Sequence, residues 1–150
     1  MQLRVLMLVG MIAVAAVFTR EGVLAQGRPF STALTGAEEV PGPADPDASA
    51  LASLTLNQGR GEVCFDLSWE DIDGTVVAAH IHEAPVGVAG PIVVPLFTDT
   101  ALPGTGSATA CVADVSRDLI KDIRQNPEDY YVNMHSTVFP AGAVRGQLSD

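Results

Sequence analysis

Histidine, cysteine and positive charge are all scarce in this chain. Its 150 residues hold three histidines and two cysteines, and eight Lys plus Arg stand against eighteen Asp plus Glu. A formal net charge of −10 repels a phosphate backbone, so nucleic acid is not an expected partner. No glycine-rich phosphate loop occurs, and no serine or cysteine nucleophile sits in a recognisable elbow. Internal repeats and low-complexity tracts are absent too. No apolar run reaches the roughly 20 residues that a membrane-spanning helix needs.

The longest such run, Val5–Phe18, follows Arg4 and has the length of a secretory h-region. Val23, Leu24 and Ala25 place small or modest residues at the −3 and −1 positions. Residues 1–25 therefore read as a signal peptide cleaved after Ala25, and an uncleaved membrane anchor is the alternative. Residues 26–150 would form one exported domain, periplasmic or secreted, with no membrane span. Removing Arg4, Arg20 and Glu21 leaves six basic and seventeen acidic side chains, a net −11 that attracts cations.

In an exported chain two cysteines default to a disulfide. Val63, Phe65, Leu67 and Trp69 form the apolar phase of their segment, and Cys64 lies on the other phase. Cys111 likewise shares its phase with Ser107 and Thr109. Core thiols would favour the apolar phase, so a Cys64–Cys111 bridge is expected, with free thiols or a thiolate metal ligand as alternatives.

Short alternating runs dominate the rest. Strands are expected at Phe30–Leu34, Ala50–Leu56, Glu62–Trp69, Val76–Glu83, Ile92–Phe97, Ser107–Val112, Tyr130–Ser136 and Ala143–Leu148. Pro95 makes Ile92–Phe97 an edge strand. In the last strand Val144 and Leu148 face the core, and Arg145 and Gln147 face out. Thr35–Asp47, rich in proline and acid, reads as a solvated loop without calcium-loop spacing. Ser116–Gln125 is the one helix, capped by Ser116 and stopped by Pro127. About eight strands with Gly/Pro turns and one short helix give an all-β, Greek-key β-sandwich or barrel.

Period-2 alternation also organises the histidines. His80 and His82 share one face of their strand, opposite Ile81. His135 shares a face with Tyr131 and Asn133, opposite Val132 and Met134. If the two faces meet, three imidazoles converge, a donor set that favours copper over hard cations. Asn133 would stand beside His135 as a supporting group. Alternatively, the histidines bond loop carbonyls and brace Ala84–Pro91. Arg145 either serves the site or pairs with a carboxylate.

Several stretches carry a family resemblance: F-S-T-A-L-T-G-A-E-E-V-P, A-A-H-I-H followed by G-P-I-V, Y-Y-V-N-M-H-S, and F-P-A-G-A-V-R-G-Q-L. From about Phe30 to Leu148 the chain resembles the CHRD (chordin) domain family, whose exported bacterial members often consist of a single domain. The same motifs are similar to the copper half of Cu,Zn superoxide dismutase, a Greek-key β-barrel. That similarity implies copper ligands at His80, His82 and His135 and an anion-guiding role for Arg145. No fourth histidine stands for the bridging ligand, and A-P-V-G-V-A-G-P holds no zinc ligand. The expected function is transition-metal binding, copper favoured. Redox activity such as superoxide dismutation is disfavoured by the net −11 unless Arg145 creates a positive channel. The alternatives are an extracellular protein-interaction module and a structural component of the envelope, both with structural histidines.

Overall fold

A computed structural model describes residues 27–149. The leader read over residues 1–25 and its cleavage site lie outside the described residues. Eight antiparallel strands form one sheet: β1 (Arg28–Thr35), β2 (Ser49–Asn57), β3 (Glu62–Glu70), β4 (Val76–Glu83), β5 (Ile92–Phe97), β6 (Gly106–Val112), β7 (Tyr130–Ser136) and β8 (Val144–Gln147). One helix, α1 (Arg117–Gln125), joins β6 to β7. The strand order is β5-β4-β7-β8-β1-β2-β3-β6, and the β5 and β6 edges approach each other so that the sheet nearly closes into a barrel. Among the described residues no helix is long and apolar enough to cross a membrane.

Alternation builds the barrel wall. In β2 Ala50, Ala52, Leu54 and Leu56 point inward, and in β3 Val63, Phe65, Leu67 and Trp69 do so. The connecting turn is set by its own residues. Asn57 Oδ1 accepts the Arg60 N–H at 3.1 Å, and Gly61 takes a positive φ of 64°. Across the interior Phe97 of β5 packs on Phe65 and Trp69 of β3, with ring centroids 6.1 and 6.5 Å apart. The buried Trp69 Nε1–H donates to Pro103 O at 2.9 Å, so its polar atom is satisfied. Helix α1 begins where Ser116 accepts the Leu119 N–H and presents Ile120 and Ile123, both fully buried, to the core. Burying each isoleucine is worth about 1.5–3 kcal/mol.

Two expectations need correction. The Thr35–Asp47 segment is solvated only in part: Glu38 and Asp47 are exposed, but Glu39 is 7% exposed and Asp45 is 0% exposed. The segment folds back over β8. Asp45 N–H donates to Ala143 O at 3.1 Å, and Asp45 Oδ2 accepts the Asp73 N–H at 2.7 Å. Gly36 permits that approach, since a Cβ there would lie 1.7 Å from Asp45 O. Arg145 does not face solvent either; it is 1% exposed, on the barrel's outer face but roofed by a loop.

Cys64 and Cys111 stand directly opposite in the β3–β6 ladder, on the solvent side, and are joined as a disulfide. The bridge spans 47 residues of sequence. Replacing both cysteines with serine should lower the unfolding free energy by up to about 4 kcal/mol on the chain-entropy account. A lower urea midpoint for the double variant, with an unchanged circular dichroism spectrum, is the expected result.

Candidate metal centre

The β4–β7 ladder brings the three histidines together. His80 lies opposite Asn133, His82 opposite Tyr131 and Ala78 opposite His135. All these side chains emerge on the face away from the core, because Ile81, Val132 and Met134 fill the inner face. On its other side β4 pairs with β5, and that register shifts between Ala79 and His80 and again between Ile81 and His82. Such irregularities re-aim side chains, and here they bracket His80.

The ring nitrogens converge. His80 Nδ1 is 3.0 Å from His135 Nε2, and one ligand atom from each of the three residues lies within 4.8 Å of the others. His80 and His82 are 7% and 8% exposed, and His135 is half-buried, so the cluster opens on the His135 side.

Two backbone carbonyls decide which nitrogens are bare. His82 Nδ1 is 2.8 Å from Gly90 O, and His135 Nδ1 is 3.1 Å from Pro140 O. A carbonyl only accepts, so both Nδ1 atoms carry the proton and both Nε2 atoms keep a lone pair. His82 Nε2 is buried and has no hydrogen-bond partner. His135 Nε2 faces His80 Nδ1 and also Asn133 Oδ1, the latter at 3.1 Å. An orphaned buried lone pair beside two further imidazoles suits a transition-metal ion, whose usual imidazole ligands carry the same kind of partner on the second nitrogen.

A wall supports the cluster. Tyr131 stacks on His82, with centroids 4.8 Å apart and planes 12° from parallel. The Arg145 guanidinium lies 3.5 Å from the Tyr131 ring centroid, and the strand order β4-β7-β8 puts Tyr131 between the two. Arg145 donates to Val88 O at 2.8 Å, Pro85 O at 2.9 Å and Gln147 Oε1 at 3.0 Å. Gln147 in turn donates to Ala84 O. Gly90 is held from both ends, since its N–H donates to Tyr131 Oη at 3.2 Å while its carbonyl takes the His82 proton. Arg145 thus pins the Ala84–Pro91 loop through carbonyls; of the two roles the sequence suggested, serving the site and pairing with a carboxylate, this contact concerns the first. The same loop supplies the acceptor that orients His82.

Sequence reasoning put Tyr131 on the histidine face without giving it a role, and it passed over Gly90 and Pro140. Tyr131 was within reach, because it alternates in phase with Asn133 and His135. The carbonyl acceptors carry no side-chain signal. A second group of ligand-type residues, Glu62, Cys64 and Cys111, has both sulfurs committed to the disulfide.

Electrostatics favour neutral imidazoles. Burial, with the neighbouring His135 and His82, holds His80 down to about 4. Burial also lowers His135, opposed by its bond to Pro140 and aided by His82. Burial raises Glu39 above the ordinary carboxylate range, opposed by the Val40 N–H, the Arg145 charge and the Asn133 amide.

The CHRD domain family model matches residues 30–148, and the chain belongs to that family. No curated protein and no solved structure matches the chain.

The His80 shift has a signed consequence for the metal-free protein. The unfolded chain protonates this histidine near 6.5, whereas the folded chain resists until about 4. The folded state therefore binds fewer protons in that window. Stability is full above pH 6.5 and falls as pH drops towards 4, by at most about 3 kcal/mol. Urea midpoints measured across this range should decline, and His80→Gln should flatten the decline.

Proposed function

We propose that this CHRD domain binds one transition-metal ion, copper favoured, through His80, His82 and His135, in a compartment outside the cytoplasm. The observation that carries the reading is the buried, unpartnered His82 Nε2, with His80 Nδ1 and His135 Nε2 nearby. His82 and His135 would ligate through Nε2. His80 would offer Nδ1 once the proton it shares with His135 leaves. Imidazole nitrogens without a carboxylate in the set select copper, zinc or nickel over calcium and magnesium. Bound there, copper would supply one-electron exchange or simply be held. The net charge of −10 and the internal commitment of Arg145 favour holding over turnover of an anionic substrate. Export rests on the apolar leader and on the Cys64–Cys111 bridge.

A second reading has its own observation. The bonds from His82 to Gly90 O and from His135 to Pro140 O would brace two loops in a non-catalytic interaction or envelope module. The two readings separate on stoichiometry. Isothermal titration of purified protein with Cu(II) should give one ion per chain, and the electron paramagnetic resonance spectrum should show nitrogen hyperfine coupling from several imidazoles. His82→Ala should weaken binding by at least about 100-fold while leaving the circular dichroism spectrum intact, since one of three ligands is lost. Absence of stoichiometric copper or zinc binding at micromolar concentration would favour the bracing reading, as would unfolding of His82→Ala.

A further inference from the structure

We propose that the pocket between the start of β1, the β2–β3 turn and the last turn of α1 is a binding site for a dianionic phosphate group. The inference is independent of the metal-binding reading, for no residue of the histidine cluster lines this pocket.

Charge is the first observation. The described residues hold six Lys and Arg side chains, and Arg145 is committed to the Ala84–Pro91 loop. Three of the other five, Arg28, Lys121 and Arg124, line one pocket of roughly 320 Å3, together with Gln58 and Gln125. No carboxylate lines it, in a chain whose net charge is −10. Helical spacing puts Lys121, Arg124 and Gln125 on one side of α1. Arg28 Nη1 donates to Arg124 O, and the Arg28 guanidinium lies 4.7 Å from the Phe30 ring centroid, so the fold holds it beside the helix end. Asp122, the acid on the same turn, accepts from the Tyr130 hydroxyl and the Asn126 amide. The second observation is an orphaned donor. Arg124 Nε is buried and has no hydrogen-bond partner among the described residues. Cations in the last turn of a helix offset its dipole, and the bond from Arg28 to Arg124 O does so here. That account leaves the buried Nε–H without an acceptor, at a cost in stability.

An oxyanion supplies the missing acceptor. Guanidinium forks match the oxygens of a phosphate, and the Lys121 ammonium adds a point charge. Together the three side chains outweigh both a dianion and the roughly half negative charge at the helix C-terminus. A modest turn of the Arg124 guanidinium aims Nε–H and an Nη–H side by side at one phosphate. Gln58 and Gln125 carry amide donors for further oxygens. A monocarboxylate, with two oxygens and one charge, would leave part of this donor set unmatched. The recognised chemistry is the same for free phosphate and for a phosphate monoester exposed on a lipid surface.

The test titrates the purified, metal-free protein with inorganic phosphate at constant ionic strength, and in parallel sediments it with phosphatidylcholine vesicles that contain phosphatidic acid. One phosphate should bind per chain, and Lys121→Gln and Arg124→Gln should each weaken it at least about 10-fold, the loss expected for one charge-assisted bond. Arg60→Gln removes the same charge from a side chain outside the pocket, 67% exposed and 3.9 Å from Glu62, and should change affinity less than about twofold. Binding of free phosphate without sedimentation marks a soluble ligand. Sedimentation that Lys121→Gln abolishes and Arg60→Gln spares marks a lipid headgroup, and either result supports the site. No binding at millimolar phosphate together with no sedimentation overturns the proposal. So does an equal loss in Arg60→Gln and Lys121→Gln, which would mark general attraction to positive charge. Should Arg124→Gln not fold, the exposed Lys121 decides alone, and unchanged binding in Lys121→Gln overturns the proposal. Copper titration of Lys121→Gln should match wild type, so the metal reading and this one stand or fall separately.

Discussion

Register in the β4–β7 ladder sets His80 opposite Asn133 and His82 opposite Tyr131, with His135 one pleat further along the same face. A slip of one residue in either strand would send imidazoles into the core and bring Ile81 or Val132 and Met134 to the outside. Because those three residues are fully buried, the hydrophobic effect on the inner face holds the polar geometry of the outer one. The site is specified by the core behind it as much as by its own residues.

Backbone carbonyls then turn three neighbouring histidines into a directed donor set. Gly90 and Pro140 each take an Nδ1 proton, so bracing the loops and baring the Nε2 lone pairs are the same two hydrogen bonds. Removing the loop carbonyls would free the tautomers, and removing the imidazoles would free the loops. Arg145 and Gln147 extend this coupling, for they hold the Ala84–Pro91 loop at Val88, Pro85 and Ala84 and thereby fix Gly90 from behind. Burying neutral imidazoles against one another costs stability at low pH, a cost that an ion in the cluster would offset.

Much of the architecture was legible because local pattern and fold agree. Alternation identified the inward faces of β2 and β3, Ser116 and Pro127 bounded the helix, and the phase of Cys64 against its neighbours placed it outside the core. The histidine faces were legible by the same rule. Glu39, Asp45 and Arg145 were not, and for one reason. A composition of Pro, Gly and acid describes a segment's local preference. Whether it lies in water depends on where the β1–β2 connection lands after eight strands have paired. Arg145 alternated correctly with Val144, but the face it joined is roofed by a loop sixty residues earlier, and no periodicity within β8 reports that. Glu39 was masked because it stands with Glu38, Asp45 and Asp47 among glycines and prolines, a composition that reads as solvated.

In the proposed site three imidazoles on one face of a barrel wall would share one ion. X-ray absorption of the purified protein loaded with one equivalent of copper reports the coordination shell directly. Copper held by the three histidines should show a shell of nitrogen or oxygen scatterers at about 2 Å that includes about three imidazoles, seen by their outer-ring multiple scattering, and should lose one imidazole in His135→Ala. A shell with one imidazole or none, unchanged in His135→Ala, would place the copper elsewhere and overturn the three-histidine site.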